Sequence, residues 1–212
     1  MEPLRRKEAS AVSLVMADSR NPWPPEPSPT AHARLTWEPT YYSSAVALAA
    51  LYAARHCYDL RVYRILQDEA ELDAGGLVVA CTHPTLGRRA SSWCKLLAIH
   101  DTLWQKSVLS GWRYTHVVWV DSDLFFHDQR RSVHQLLDEY SVRADASTFA
   151  WFPTNYPWND TRSKRFSPVN AGVVFLRNSV GARRFIRRWW DFDLGRRKRK
   201  RYNRAHDFEQ VI

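Results

Sequence analysis

Two aspartates one residue apart, Asp121 and Asp123, directly follow the largely apolar run 116–120. A continuous apolar run bounded by polar residues predicts a strand covered on both faces, as in a parallel sheet packed between helices. Such sheets bind ligands at the carboxyl ends of their strands, where both carboxylates can reach one hard divalent cation. A cation held by few protein oxygens usually completes its coordination with water and substrate phosphates. The pattern therefore indicates a nucleotide-diphosphate site.

A simpler interpretation of these aspartates is a turn, because acidic and serine residues often begin one after a strand. Here, however, the carboxylates stand between two hydrophobic runs, since 124–126 is Leu-Phe-Phe. Buried charges without partners are costly, which favours a bound cation. The sequence contains no Gly-rich phosphate loop, zinc-type spacing or Ser/His/Asp signature. Phosphate binding is therefore expected to depend on a metal and on basic side chains.

Strand and helix patterns alternate around this site. Strands are predicted over 11–16, 58–64, 77–81, 116–120, 148–152 and 169–176. Helices are predicted from Ser43 or Ser44 to about residue 56, from Ser91 or Ser92 to 104, over 133–140, and after Ser179, with the serines as N-caps. This alternation predicts an α/β fold with a mixed, largely parallel sheet flanked by helices.

The composition is that of one globular domain. The chain has 212 residues, 45% of them hydrophobic, with 10 Trp, 9 Tyr and 9 Phe, which is enough for a substantial core. We place the domain at 10–212, after a charged tail at 1–9. No stretch approaches the roughly 18 apolar residues of a membrane span. The cysteines (Cys57, Cys81 and Cys94) are expected to be buried thiols, with one disulfide possible.

The net charge of +9 is concentrated in the region 183–204, which contains the basic run 196–201. Such a run is typical of a nuclear-localisation signal, a nucleic-acid patch, or a solvated loop that attracts anions. We favour the last of these, because no stacking platform or recognition motif accompanies the run, and no nucleic-acid partner is expected.

Five segments, in one order along the chain, resemble motifs of a known family. Residues 52–60 are similar to "YA…HGYD", 92–96 to a "W-x-K" helix and 118–123 to "WxDxD". Residues 170–179 are similar to "NAGVFLIRNS", and 206–210 to an "H-x-EQ" or "DxQ" helix start. Together they resemble glycosyltransferase family 34, which includes fungal Golgi galactosyl- and mannosyltransferases and plant xylosyltransferases.

The resemblance implies a GT-A (Rossmann-like) fold, a nucleotide-diphosphate sugar donor, a glycan acceptor and Mn²⁺ or another divalent cation. It also implies transfer with retained anomeric configuration, on the lumenal side of the Golgi membrane. Membrane association would then depend only on a segment absent from this chain.

Carried over by position, the resemblance implies three groups of site residues. The metal ligands are Asp121 and Asp123. The donor-binding residues begin with Lys95, near the phosphates, and Ser122, by the ribose or sugar of the donor. Asn170, Ala171 and Gly172 would line the sugar pocket, where the glycine permits close backbone approach. The catalytic residues are Asp207, Glu209 and Gln210. Each has a simpler alternative; Lys95, for example, could be a solvent-facing helix residue.

Two positions depart from the family pattern. Family members place a third metal ligand, a histidine, downstream of the "EQ" helix, whereas this sequence ends at Ile212, so we expect a truncated C-terminus. Cys57 replaces the family's usual glycine after His56.

The sequence therefore predicts a metal-dependent, retaining glycosyltransferase that moves a hexose or pentose. Two alternatives remain open. One is a metal-dependent nucleotidyltransferase, which also uses an acidic pair. The other is a non-catalytic basic protein that binds nucleic acid or anionic membrane through residues 183–204.

Overall fold

The computed structural model describes residues 12–20, 40–66, 76–140, 147–154 and 169–193. The strands in these ranges are β1 (Val12–Asp18), β2 (Asp59–Leu66), β3 (Leu77–Ala80), β4 (Thr82–His83), β5 (Gly87–Arg88), β6 (His116–Val120), β7 (Ala150–Trp151) and β8 (Val173–Arg177). The helices are α1 (Tyr41–His56), α2 (Cys94–Trp104), α3 (Val133–Tyr140) and α4 (Val180–Trp190). A 3₁₀ turn, Ser91–Trp93, precedes α2.

Six strands form one sheet in the order β3-β2-β1-β6-β8-β7. Strand β1 pairs in parallel with β2 and β6, and β2 pairs in parallel with β3. Strand β8 runs antiparallel to both β6 and β7. The predicted mixed, largely parallel sheet is confirmed. Because β1 and β6 are parallel neighbours, their carboxyl ends meet at the same edge of the sheet.

Helices cover both faces of this sheet. Leu96 of α2 and Ile186 of α4 belong to the same core cluster as Trp119 of β6. Tyr42 of α1 and Val133 of α3 belong to a second cluster, built with alternate residues of the same central strands. Burial on both faces explains why β1 and β6 are continuous apolar runs rather than alternating ones.

Two helix starts test the predicted caps. Helix α1 begins earlier than expected, because Oγ1 of Thr40 accepts the Ser43 backbone N–H at 3.1 Å. The prediction of Ser43 or Ser44 as cap was wrong, since Tyr42 is fully buried and belongs to the helical core face. Ser179 does cap α4, where its Oγ accepts the backbone N–H three residues on at 3.1 Å.

Two further boundaries differ from the prediction. Neither Ser91 nor Ser92 caps α2, which instead continues from the 3₁₀ turn. The strand predicted over 169–176 begins only at Val173, because Oδ1 of Asn170 accepts the Gly172 backbone N–H at 2.7 Å and forms a turn. That turn lies beside the end of β6 and so forms part of the candidate site.

Cys81 and Cys94 form a disulfide with a Cα–Cα distance of 5.3 Å. It joins the end of β3 to the start of α2, so the default expectation of reduced thiols was wrong for this pair. Cys57 is a free thiol and ends α1 in the left-handed conformation, with φ 56° and ψ 40°.

Several expectations lie outside the described residues: the charged tail at 1–9, the basic run 196–201 and the segment 206–210. Within the described ranges, none of the helices has both the length and the apolar character needed to cross a bilayer.

Candidate active site

Two short polar segments, Asp18-Ser19-Arg20 and Asp121-Ser122-Asp123, leave neighbouring strands side by side. The parallel register aligns Val15, three residues before Asp18, with Trp119, two residues before Asp121. A cavity of about 300 Å³ opens between them. Its polar lining consists of Asp18, Ser19, Arg20, Ser91, Ser92, Lys95, Asp121, Ser122 and Asp123. Both predicted metal ligands therefore face one cavity.

Asp121 is held by backbone and side-chain contacts. Its backbone N–H donates to the Gly172 carbonyl at 2.8 Å. Its Oδ1 accepts the indole N–H of Trp119 at 2.6 Å and the ammonium of Lys95 at 2.9 Å. Both donors bind the same oxygen, and a Cβ built on Gly172 would lie 3.3 Å from the other, Oδ2. The carboxylate is thus oriented through Oδ1, and a glycine leaves space beside Oδ2.

Lys95 is only 3% exposed, so the alternative of a solvent-facing lysine is wrong. Besides binding Asp121, its ammonium donates to the Ala171 carbonyl at 3.1 Å and lies 5.5 Å from the centre of the Trp119 ring. A buried cation needs such partners to offset its lost hydration. Lys95 therefore ties α2 to the end of β6 and to the turn before β8. Its expected contact with donor phosphates stays a prediction.

Asp18 and Arg20 form a bidentate ion pair in the cavity wall, with nitrogen–oxygen distances of 2.9 and 2.6 Å. The Arg20 guanidinium also lies 3.4 Å from Oγ of Ser122 and 5.3 Å from the centre of the Tyr42 ring. Burial by itself would raise the pKa of Asp18, but hydrogen bonds from Arg20 and Ser122 outweigh it and lower that pKa. The carboxylate therefore stays ionised and holds the arginine in place.

The second half of the acidic motif is more open. Asp123 is exposed, and its backbone carbonyl accepts the hydroxyl of Tyr41 at 2.8 Å, which fixes the segment to the start of α1. Ser92 Oγ is buried beside the cavity and has no hydrogen-bond partner among the described residues. A polar group on a bound ligand would satisfy this hydroxyl, which can either donate or accept.

The predicted sugar-binding residues Asn170, Ala171 and Gly172 lie behind Asp121. Asn170 donates its backbone N–H to the Pro153 carbonyl at 2.8 Å. Ala171 and Gly172 are buried. The Ala171 carbonyl accepts the Lys95 ammonium, and the Gly172 carbonyl accepts the Asp121 backbone N–H. These three residues are thus brought together with the acidic motif. Their contact with a sugar stays a prediction.

The predicted catalytic residues Asp207, Glu209 and Gln210 lie outside the described residues. Among the residues that are described, no group of three or more His, Cys, Asp or Glu side chains could hold a metal. The two aspartates stay a predicted donor set, whose hard oxygens would suit Mn²⁺ or Mg²⁺ if water and phosphate completed the coordination.

Sequence reasoning missed Asp18, Arg20 and Ser92. A signal was present, because Asp18-Ser19 follows an apolar strand just as Asp121-Ser122 does. What the sequence did not provide was the pairing of β1 with β6, which joins the two segments into one site.

Comparison with solved structures gives a likeness at the level of fold. The chain is similar to a glycosyltransferase involved in the glycosylation of the major capsid of PBCV-1, with a TM-score of 0.54 and 14% sequence identity. The match covers 95% of this chain and 75% of that one. This chain therefore shares the fold of that glycosyltransferase. No protein-family model matches its sequence, and no curated protein matches it significantly. The narrower assignments to family 34 and to GT-A stay predictions.

Proposed function

We propose that this chain is a metal-dependent glycosyltransferase that moves a hexose or pentose from a nucleotide-diphosphate sugar to a glycan acceptor with retention of configuration. The observation that supports it is the position of Asp121 and Asp123. They follow a central strand and line the same cavity as Arg20 and Lys95, on a fold shared with a glycosyltransferase.

Asp121, through Oδ2, and Asp123 would hold Mn²⁺ or a similar cation. The fit rests on their hard oxygen donors and on Gly172, where an added Cβ would fill the space beside Asp121. When bound, the cation supplies positive charge that stabilises the departing diphosphate.

The chain's own residues would orient the donor and screen its charge. Lys95 and Trp119 fix the Asp121 carboxylate before any ligand arrives, so little reorganisation is needed on binding. Arg20 is held by Asp18 and presents a guanidinium at the cavity wall, where it can contact a phosphate oxygen. Ser92 Oγ can donate to the same ligand.

The proposed reaction breaks the bond between the anomeric carbon and the diphosphate oxygen. An acceptor hydroxyl attacks from the face that the diphosphate leaves, and its proton passes to that oxygen, so the configuration is retained. Positioning of the two substrates supplies most of the rate acceleration in this scheme. By resemblance, the side chains of Asp207, Glu209 and Gln210 would lie near the anomeric carbon of the donor sugar.

The test is transfer from UDP- and GDP-sugars in the presence of Mn²⁺, with products separated by mass. We expect nucleoside diphosphate and glycoside, and a loss of at least about 100-fold for Asp121→Asn and Asp123→Asn. Asp128→Asn is the matched control, because Asp128 follows the same strand but does not line the cavity. Release of pyrophosphate instead would indicate a nucleotidyltransferase, and equal rates in all variants would remove the metal assignment.

A further inference from the structure

The loop of residues 105–113, between α2 and β6, presents large apolar side chains to solvent. Val108 is 84% exposed, Leu109 62% and Trp112 70%. Trp104, at the end of α2, is half exposed beside them and lies 5.7 Å from the guanidinium carbon of Arg113. Single exposed apolar residues are common, but three within five residues form a patch that usually has a partner.

The 105–113 loop is held in one conformation by its own hydrogen bonds. Ser107 is buried, and its Oγ accepts the backbone N–H groups of Leu109 and Ser110 at 3.2 Å each. The Ser107 backbone N–H donates to the Trp112 carbonyl at 2.7 Å, and Gly111 N–H donates to the Ser107 carbonyl at 2.8 Å. The apolar side chains are therefore exposed by a fixed turn.

The loop is also fastened to the core. The buried carboxylate of Asp59 accepts the Val108 backbone N–H at 3.0 Å and the Tyr114 hydroxyl at 2.8 Å. Lys106 and Arg113 form an antiparallel bridge that closes the base of the loop. The fold of the chain already fixes this loop, so binding a partner costs little further conformational entropy. The exposed side chains are therefore pre-organised for a partner.

Positive charge borders the apolar tip. Lys106 and Arg113 are exposed at its base, and Arg183 lies 4.7 Å from the centre of the Trp104 ring. The sequence from 102 to 120 contains no Asp or Glu, and Asp101 just before it is paired with Arg61 at 3.7 Å. A second copy that docks by this same face would bring these cations against one another, whereas an anionic lipid surface complements them. Tryptophan and aliphatic side chains flanked by lysine and arginine are typical of the membrane interface.

We propose that the 105–113 loop docks this protein on an anionic lipid surface. Leu109 and Trp112 enter the boundary between headgroups and acyl chains, while Lys106 and Arg113 contact lipid phosphates. The loop lies at the amino end of β6 and Asp121 at its carboxyl end, so five strand residues, or about 16 Å, separate them. The candidate active site would then open away from the lipid. This differs from the expectation that membrane association requires a segment absent from this chain.

The test is flotation of the purified chain with vesicles of phosphatidylcholine, with and without phosphatidylserine as about a third of the lipid. We expect binding to the anionic vesicles. Combined Leu109→Ser and Trp112→Ser should weaken it at least about tenfold, because two apolar side chains no longer insert. Lys106→Gln should weaken it about fivefold, and only on the anionic vesicles.

Leu51→Ser is the matched control, since Leu51 is 65% exposed on α1, outside the loop. It should leave vesicle binding unchanged. Circular dichroism and thermal unfolding should show that all these surface variants fold like the wild type. The proposal is overturned if the wild type does not float, or if the Leu109/Trp112 variant floats equally well. A concentration-dependent dimer that this variant abolishes, without vesicle binding, would instead assign the patch to a second copy.

Discussion

The ammonium of Lys95 lies 2.9 Å from Oδ1 of Asp121, although lysine is among the residues least often buried. Because Trp119 binds the same oxygen at 2.6 Å, side chains from two elements, α2 and β6, converge on one carboxylate. The arrangement explains how a partly exposed aspartate at a strand end can keep one orientation.

Lys95→Met tests this arrangement. The variant leaves the Ala171 carbonyl and Oδ1 of Asp121 without their cation, but Asp121 keeps its Trp119 contact. We expect the free energy of unfolding to fall by about 2 kcal/mol. Transferase activity should fall by a larger fraction than stability does. Urea denaturation measures the first quantity. Lys106→Met, at an exposed lysine, should change stability by less than about 0.5 kcal/mol; equal effects in both would contradict the account.

Gly172→Ala tests the space beside Asp121. The new Cβ would lie 2.9 Å from Oδ1 of Asn170, 3.1 Å from Cδ1 of Leu124 and 3.3 Å from Oδ2 of Asp121. We expect a destabilisation of about 2 kcal/mol from overpacking and weaker Mn²⁺ binding. Adding Leu124→Ala should restore part of the stability but not the Mn²⁺ affinity. Full affinity in the single variant would show that the space is not needed.

Cys57→Gly should stabilise the chain. Cys57 ends α1 at φ 56°, a conformation that costs an L-residue about 1 kcal/mol or more and glycine very little. We expect a gain of about 1 kcal/mol in the free energy of unfolding, measured by thermal or urea denaturation. Cys57→Ala removes the same thiol but keeps a Cβ, so it should give no gain. A similar gain in both variants would assign the effect to the thiol.

The most local features of the fold were predictable from sequence. Strand β6 and helix α4 carry strong signals, namely a continuous apolar run and a serine cap before an amphipathic pattern. The acidic motif was found because it directly follows β6. These features depend on residues close together in the chain, where hydrophobic pattern and intrinsic propensity determine the secondary structure.

The rest of the site depends on contacts between distant segments. Asp18 meets Ser122 across about a hundred residues, and only the β1–β6 pairing places them together. The helical pattern of α2 predicted Lys95 but not its burial, because its partners, Asp121 and Ala171, come from other elements. The cap of α1 was misplaced since the burial of Tyr42 is a tertiary effect. Such contacts override local preference.

His116 should make stability depend on pH. Burial, aided by the nearby charges of His134 and Arg177, lowers its pKa from 6.5 to about 4. Below pH 6.5, His116 binds a proton in the unfolded chain but not in the folded chain. The free energy of unfolding therefore falls as pH drops from 6.5 toward 4. We expect His116→Gln to remove about 2 kcal/mol of this fall. A pH profile of stability that His116→Gln leaves unchanged would contradict the prediction.

The central claim is that Asp121 and Asp123 together hold a divalent cation with the donor diphosphate. Electron paramagnetic resonance of Mn²⁺ measures this directly, because the signal of hydrated Mn²⁺ falls as the ion binds. With UDP or GDP present, the wild type and Asp128→Asn should bind Mn²⁺ equally, and Asp121→Asn and Asp123→Asn should each bind at least about tenfold more weakly. Equal binding by all four proteins, or none by the wild type, would contradict the account.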